Sequence, residues 1–146
     1  MPANPNVPLG SLNKLKASLK FTSNQSLNIL PSYMSQSGLT IGFDGQATNY
    51  SEVYVGVVPS PNPFILVTIR FGVLKTQVLG PLWKAQVESN TLVGDFVLRP
   101  DVQGFPSFDF TNGFIMNPDE IAMNGTSPMF GISLRATYQI NSSLWP

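Results

Sequence analysis

Apolar and polar residues alternate without a break near the end of the chain. From Phe130 the even positions are Phe130, Ile132, Leu134, Ala136, Tyr138 and Ile140, and the odd ones are Gly131, Ser133, Arg135, Thr137 and Gln139. A period of two sustained over this length predicts one long strand with a dry and a wet face. The same period runs from Phe64 to Val73, with Ile65, Val67, Ile69 and Phe71 on one face and Leu66, Thr68 and Arg70 on the other. Shorter alternations predict strands at Ala17–Phe21, Leu27–Leu30, Leu39–Phe43, Thr91–Arg99 and Ile121–Met123. Tyr50–Val58 reads as one further strand, with Val53, Val55 and Val57 on one side.

Turn residues separate these runs. Ser23-Asn24-Gln25, Asp44-Gly45 and Asn124-Gly125 predict turns, and Asn112-Gly113, among Phe105, Phe108, Phe110 and Phe114, predicts a hairpin. Pro59-Ser60-Pro61-Asn62-Pro63 removes alternate amide donors and predicts irregular chain. After Lys75 the period changes. Val78, Leu82, Trp83 and Val87 approach a helical stripe, with Thr76 as a candidate cap or Pro81 as a first helical residue, which predicts one helix over about residues 77–89. The expected fold is mainly β, an antiparallel sandwich or barrel of about eight to ten strands with that one short flanking helix. The organisation expected is an extended proline-rich arm over 1–13, one β domain over 14–140 and a tail over 141–146. The tail ends Leu144-Trp145-Pro146, and its indole needs a dry place in the domain's own core or on a neighbouring subunit.

Composition sharpens the picture of the surface. Eight basic and eight acidic residues give no net charge, and charged residues are 11% of the chain against about 25% in an ordinary domain. So few charges defend a lone subunit poorly against association, which predicts a surface covered by other copies or partners, the alternative being a monomer with a Ser/Thr/Asn/Gln-rich surface. The lysines Lys14, Lys16 and Lys20 guard a strand edge or dock an arm on an acidic neighbour.

Candidate chemistry is sparse. Histidine and cysteine are absent, which removes imidazole bases, thiol nucleophiles, disulfides and most transition-metal sites. The acids Asp44 with Glu52, or Asp119 with Glu120, are the nearest approach to a catalytic carboxylate pair, and they lack any supporting motif. There is no phosphate-binding glycine loop and no calcium-loop spacing. The expectation is a non-enzymatic chain with no cofactor and no metal. No apolar run approaches the ~18 residues that span a bilayer, and the start shows no signal-peptide pattern. The Asn-x-Ser/Thr triplets at Asn24, Asn49, Asn124 and Asn141 therefore read as chance matches.

Between residues 38 and 99 the order of features is Ser37-Gly38-Leu39-Thr40-Ile41, Asp44-Gly45, a proline-rich break, a β run into Leu74-Lys75-Thr76, a helix with Trp83 and Gln86, and Gly94-Asp95-Phe96-Val97. With the closing Phe130–Trp145 segment, this order resembles the tail tube proteins of tailed bacteriophages, particularly those with contractile tails. The resemblance implies a β-sandwich or barrel with one flanking helix, six copies closing a ring around a channel, and rings stacking through loops and terminal arms. It implies sheath, baseplate and terminator proteins as partners, with DNA passing through non-specifically, in a virion made in the host bacterial cytoplasm. On that footing the subunit-interface candidates are Pro5, Val7, Leu9, Lys14, Lys16, Tyr50, Val53, Tyr54, Pro61, Phe64, Leu144 and Trp145. The candidate acids of a channel lining are Asp44, Asp95, Asp101 and Asp109. The alternatives are another tail component (a terminator, a baseplate ring or an injection-system tube) or a glycan- or receptor-binding module exposing Phe105, Phe108 and Phe110.

Overall fold

The computed structural model describes residues 17–23, 25–30, 34–76, 78–100, 105–118 and 125–145, excepting the side chains of 34–38. The strands are β1 (Ala17–Phe21), β2 (Met34–Asp44), β3 (Thr48–Val53), β4 (Gly56–Pro61), β5 (Phe64–Leu74), β6 (Leu92–Pro100), β7 (Phe108–Pro118) and β8 (Met129–Gln139). The helix α1 is Leu79–Ser89, and short 3-10 helices lie at Gln25–Leu27 and Ser142–Leu144. Six strands form one curled antiparallel sheet in the order β1-β6-β7-β8-β5-β2, a half-barrel. The fold is thus the mainly β architecture expected, with β3 and β4 forming a separate two-stranded hairpin.

The strongest alternations give the central strands. Val67, Ile69, Phe71 and Val73 of β5 and Phe130, Ile132, Leu134 and Ala136 of β8 are buried, and the two strands pair along their whole length from Phe64↔Gln139 to Leu74↔Met129. Register partners share a face, so Leu39 and Ile41 of β2 also point to the core, while Thr40 and Asp44 share the outer face with Thr68 and Arg70. Helix α1 closes the core with Trp83, which is wholly buried. Phe21 and Phe71 meet the indole edge-on, with ring centroids at 5.4 and 5.3 Å, a favoured aromatic geometry.

Five local expectations are corrected. The chain turns at Tyr54-Val55, so Tyr50–Val58 is two strands, with Val53↔Gly56 closing the loop. Val53 and Val57 then belong to different strands and to opposite faces of the hairpin. The proline-rich segment is not irregular, because β4 includes Pro59 and Pro61. These prolines lie two apart, so both missing donors lie on the same edge of β4, and a strand with a single partner tolerates that on its free edge.

Asn112-Gly113 does not reverse the chain. It is a bulge within β7, where registers shift against both β6 and β8. Asn112 takes the left-handed conformation (φ 54°), and its N–H donates to Asp95 Oδ1 at 3.1 Å. At Gly113 a Cβ would lie 2.4 Å from the Phe96 ring and 2.7 Å from the Gly94 carbonyl oxygen, so only glycine fits beside that ring.

The strand expected at Leu27–Leu30 is a 3-10 turn followed by a single bridge, Leu19↔Ile29. Asn28 Oδ1 accepts the Phe21 N–H at 2.7 Å, taking the donor a continued ladder needs. Finally, α1 starts after Val78 without a side-chain cap. Val78 and Leu82 are exposed, and Leu79 and Trp83 carry the buried stripe. The arm over 1–13 and the strand expected at Ile121–Met123 lie outside the described residues.

Candidate functional site

Strand β2 runs through Asp44-Gly45-Gln46-Ala47 into β3, and β4 returns through Asn62-Pro63 into β5, so the hairpin extends the β2–β5 pair beyond the sheet. Every residue of β3 is exposed, and all of β4 except the half-buried Pro61. Its apolar load is heavy: Tyr50, Val53, Val57 and Val58 are about half exposed, Val55 is 91% exposed and Tyr54 at the tip is fully exposed. A two-stranded hairpin is marginal in water on its own, and contiguous exposed apolar surface marks an interaction site.

The base of the hairpin is fastened by amides. Asn62 N–H donates to the Ala47 carbonyl at 3.0 Å, and Asn62 Nδ2 donates to the Gln46 carbonyl at 2.8 Å. Asn141, the second non-glycine residue with positive φ (56°) among those described, donates from Nδ2 to the Asn62 carbonyl at 2.8 Å. The Ile140 N–H donates to the Pro63 carbonyl at 3.1 Å. The tail is thus stitched to the hairpin's root, and the turn after Asn141 sends Trp145 across the same end of the sheet.

A groove of about 580 Å³ results, lined by Pro63 and Phe64 of the hairpin root, Thr111 and Asn112 of the β7 bulge, Thr137 and Gln139 of β8, and Ile140, Ser142 and Trp145 of the tail. The Thr111 and Thr137 hydroxyls bond each other at 2.6 Å across its floor. Phe64 and Trp145 remain about half exposed (49 and 45%), so the terminal indole does not enter the chain's own core.

Of the expected interface residues, Tyr50, Val53, Tyr54 and Pro61 fall on the hairpin, Phe64 and Trp145 line the groove, and Leu144 is exposed beside it. Pro5, Val7, Leu9, Lys14 and Lys16 lie outside the described residues, as does Asp101. Asp44 and Asp109 lie on the outer sheet face by register, and alternation with the buried Phe96 puts Asp95 there too. Asp44 is paired: Thr68 Oγ1 donates to its carboxylate, and Arg135 Nη2 lies 2.9 Å away. The Thr68 hydrogen bond first, and then the Arg135 guanidinium, hold its carboxyl below the usual value. Lys20, Arg70, Arg99 and Arg135 share that face by register, so its charge is mixed.

The three phenylalanines considered for glycan binding make no exposed platform. Phe110 is buried, Phe108 is half-buried against Tyr138, and Phe105 alone is exposed. Sequence reading missed Asn112, Gln139 and Asn141 as site residues. A positive φ at asparagine is common in turns and has no signature inside a strand. Compared with known protein-family models and with curated proteins, the chain matches none. Among the described residues no cluster of metal-ligating side chains occurs, and no helix is long and apolar enough to cross a membrane.

Proposed function

We propose that this chain is a non-enzymatic structural subunit that closes into rings and stacks into a tube, in the manner of a phage tail tube. One observation carries the reading: the chain exposes a largely apolar hairpin beside a half-barrel that stays open among the described residues, β2 pairing only with β5 and β1 meeting beyond β6 only the single bridge to Ile29. An open curled sheet completes its hydrogen bonding by meeting another sheet edge, and a closed ring of subunits removes both edges at once. The low share of charged residues suits a surface that other copies cover. The order of features between 38 and 99 supports a tube in particular, with six copies per ring. Sheath, baseplate and terminator proteins are then the partners, DNA the passing cargo, and the virion the final location.

The mixed charge of the outer sheet face bears on that cargo. If this face lines a channel, DNA meets paired charges such as Asp44–Arg135 and the cation Arg70, and slides with weak, salt-sensitive contacts.

Negative-stain electron microscopy of the purified protein at rising concentration tests the reading. Hollow rings or tubes are expected. A protein that stays monomeric at every concentration, and also fails to add to purified tail initiators, overturns it.

A further inference from the structure

The groove at the hairpin root has a chemistry of its own. Two half-exposed aromatic rings, Phe64 and Trp145, stand beside amide and hydroxyl groups of Asn112, Gln139 and Ser142, and none of the described lining residues has a charged side chain. Both non-glycine residues with positive φ among those described bear on it, Asn112 from the floor and Asn141 from the tail turn. Asparagine takes this conformation readily, so both turns hold the walls of the concave surface in place at little cost.

The chain itself carries a segment that fits. Pro2, Pro5 and Pro8 recur every three residues in Met1-Pro2-Ala3-Asn4-Pro5-Asn6-Val7-Pro8, and residues 1–13 bear no charged side chain. Three residues is one turn of a polyproline II helix, so in that conformation the three prolines would fall on one ridge. Each proline also drives the residue before it toward extended backbone. Met1, Asn4 and Val7 are therefore restricted along with the prolines, and little entropy remains to be lost on docking. Grooves lined by aromatic rings take such ridges between the rings and donate hydrogen bonds to carbonyls that a polyproline helix leaves unpaired.

Placement agrees. The arm joins β1 at Ala17, whose register partner is Pro100 at the end of β6. Through Leu98↔Phe108, Thr111↔Thr137 and Phe64↔Gln139, that end of the sheet is the one that carries the groove. The lateral distance from β1 to β8 is three strand spacings, about 14 Å. The connecting residues 9–16 span about 25 Å when extended at ~3.1 Å each.

We infer that the groove formed by Phe64, Asn112, Gln139 and Trp145 is the receptor for the Pro2–Pro8 segment of this same chain, bound as a polyproline II ridge. The linker reaches the groove of its own chain and, in an assembly, that of an adjacent copy. The inference does not depend on ring formation, and its test needs none.

The chain has two tryptophans, and Trp83 is sealed in the core, so changes in indole emission on docking report Trp145. The test uses the full chain with Pro5→Asp and Pro8→Asp, which disables its own arm, titrated with a synthetic peptide of residues 1–13. The expected result has three parts. The double substitution shifts the Trp145 emission to the red, and the peptide reverses the shift. A peptide with alanine at Pro5 and Pro8 binds at least about tenfold more weakly. With the peptide's termini capped, raising the salt changes binding little, because neither its side chains nor the described lining residues of the groove are charged.

The same titration in a protein that also carries Trp145→Phe must lose the signal. In one that carries Phe64→Ser instead, the affinity must fall. Both side chains lie outside the core, so folding is preserved. The inference is overturned if the peptide causes no shift, if the shift persists without Trp145, or if a panel of oligosaccharides shifts the emission where the peptide does not. That last outcome makes the groove a glycan site.

Discussion

Replacing Tyr54 and Val55 together by serine separates a hairpin that exists for its partners from one that supports its own fold. Within one chain these side chains are fully and 91% exposed, so they touch almost nothing that the substitution removes. Surface changes of this kind move stability by no more than about 0.5 kcal/mol, a shift of about 1–2 °C in melting temperature for a chain of this size. In an assembly that covers the tip, each lost side chain forfeits about 1.5–3 kcal/mol of burial. At 1.4 kcal/mol per factor of ten, the pair should weaken the subunit contact by about a hundredfold or more. Sedimentation velocity over a concentration series reads the second quantity, and urea unfolding followed through the core reads the first. Unchanged association would show that the hairpin tip is not part of the contact. A stability loss above about 1 kcal/mol would show that the tip packs within the chain, and the reasoning from exposure would fail.

Gly113→Ala should destabilise the chain by about 2 kcal/mol or more in chemical denaturation, because its methyl would sit 2.4 Å from the Phe96 ring; a neutral result would mean that the bulge relaxes freely. Asp44→Asn tests the outer ion pair through pH. The folded carboxyl is held below its ordinary value by Thr68 and Arg135, so its stabilisation is complete above the unfolded pKa of about 3.9 and is lost as pH falls through the lower folded value. The asparagine variant should therefore lose less stability than the parent on acidification below about pH 4, and parallel curves would remove Asp44 from the account.

The long central strands were legible because their burial is one-sided and unbroken. In β5 and β8, alternation, register and core contacts all agree. Legibility failed where local chemistry competes with the ladder. The Tyr54-Val55 turn has neither glycine nor asparagine at its two loop positions, and both residues keep negative φ, so it lacks the sequence signature of a tight hairpin. Asn112-Gly113 has that signature and does something else, because Phe96 needs the space above Gly113 and the strand bulges to provide it.

Of the site, the hairpin aromatics and Trp145 stood out as apolar residues without an evident core position. The groove did not. It is assembled from β5, β7, β8 and the tail, and such long-range convergence leaves no mark on a linear pattern. The Asp44–Arg135 pair, joining residues far apart in the chain, was equally invisible.

The two edges of the sheet are not equally defended. β1 is five residues long, carries Lys20 and is bridged at Leu19 by Ile29, whereas β2, Met34–Asp44, has neither lysine nor proline and pairs in even register over Leu39–Asp44, after a shift that follows Met34. Among the described residues nothing pairs with the even stretch of that edge, which makes it a template for an extended chain nearby, and with no net charge long-range repulsion does not hold copies apart. If the chain assembles as proposed, newly made subunits would run a race between docking in register and sticking out of register, with odds that worsen as their concentration rises. On the proposed reading, solubility rather than the stability of the fold sets how much free subunit a cell can hold, and synthesis would have to keep pace with consumption by a growing assembly.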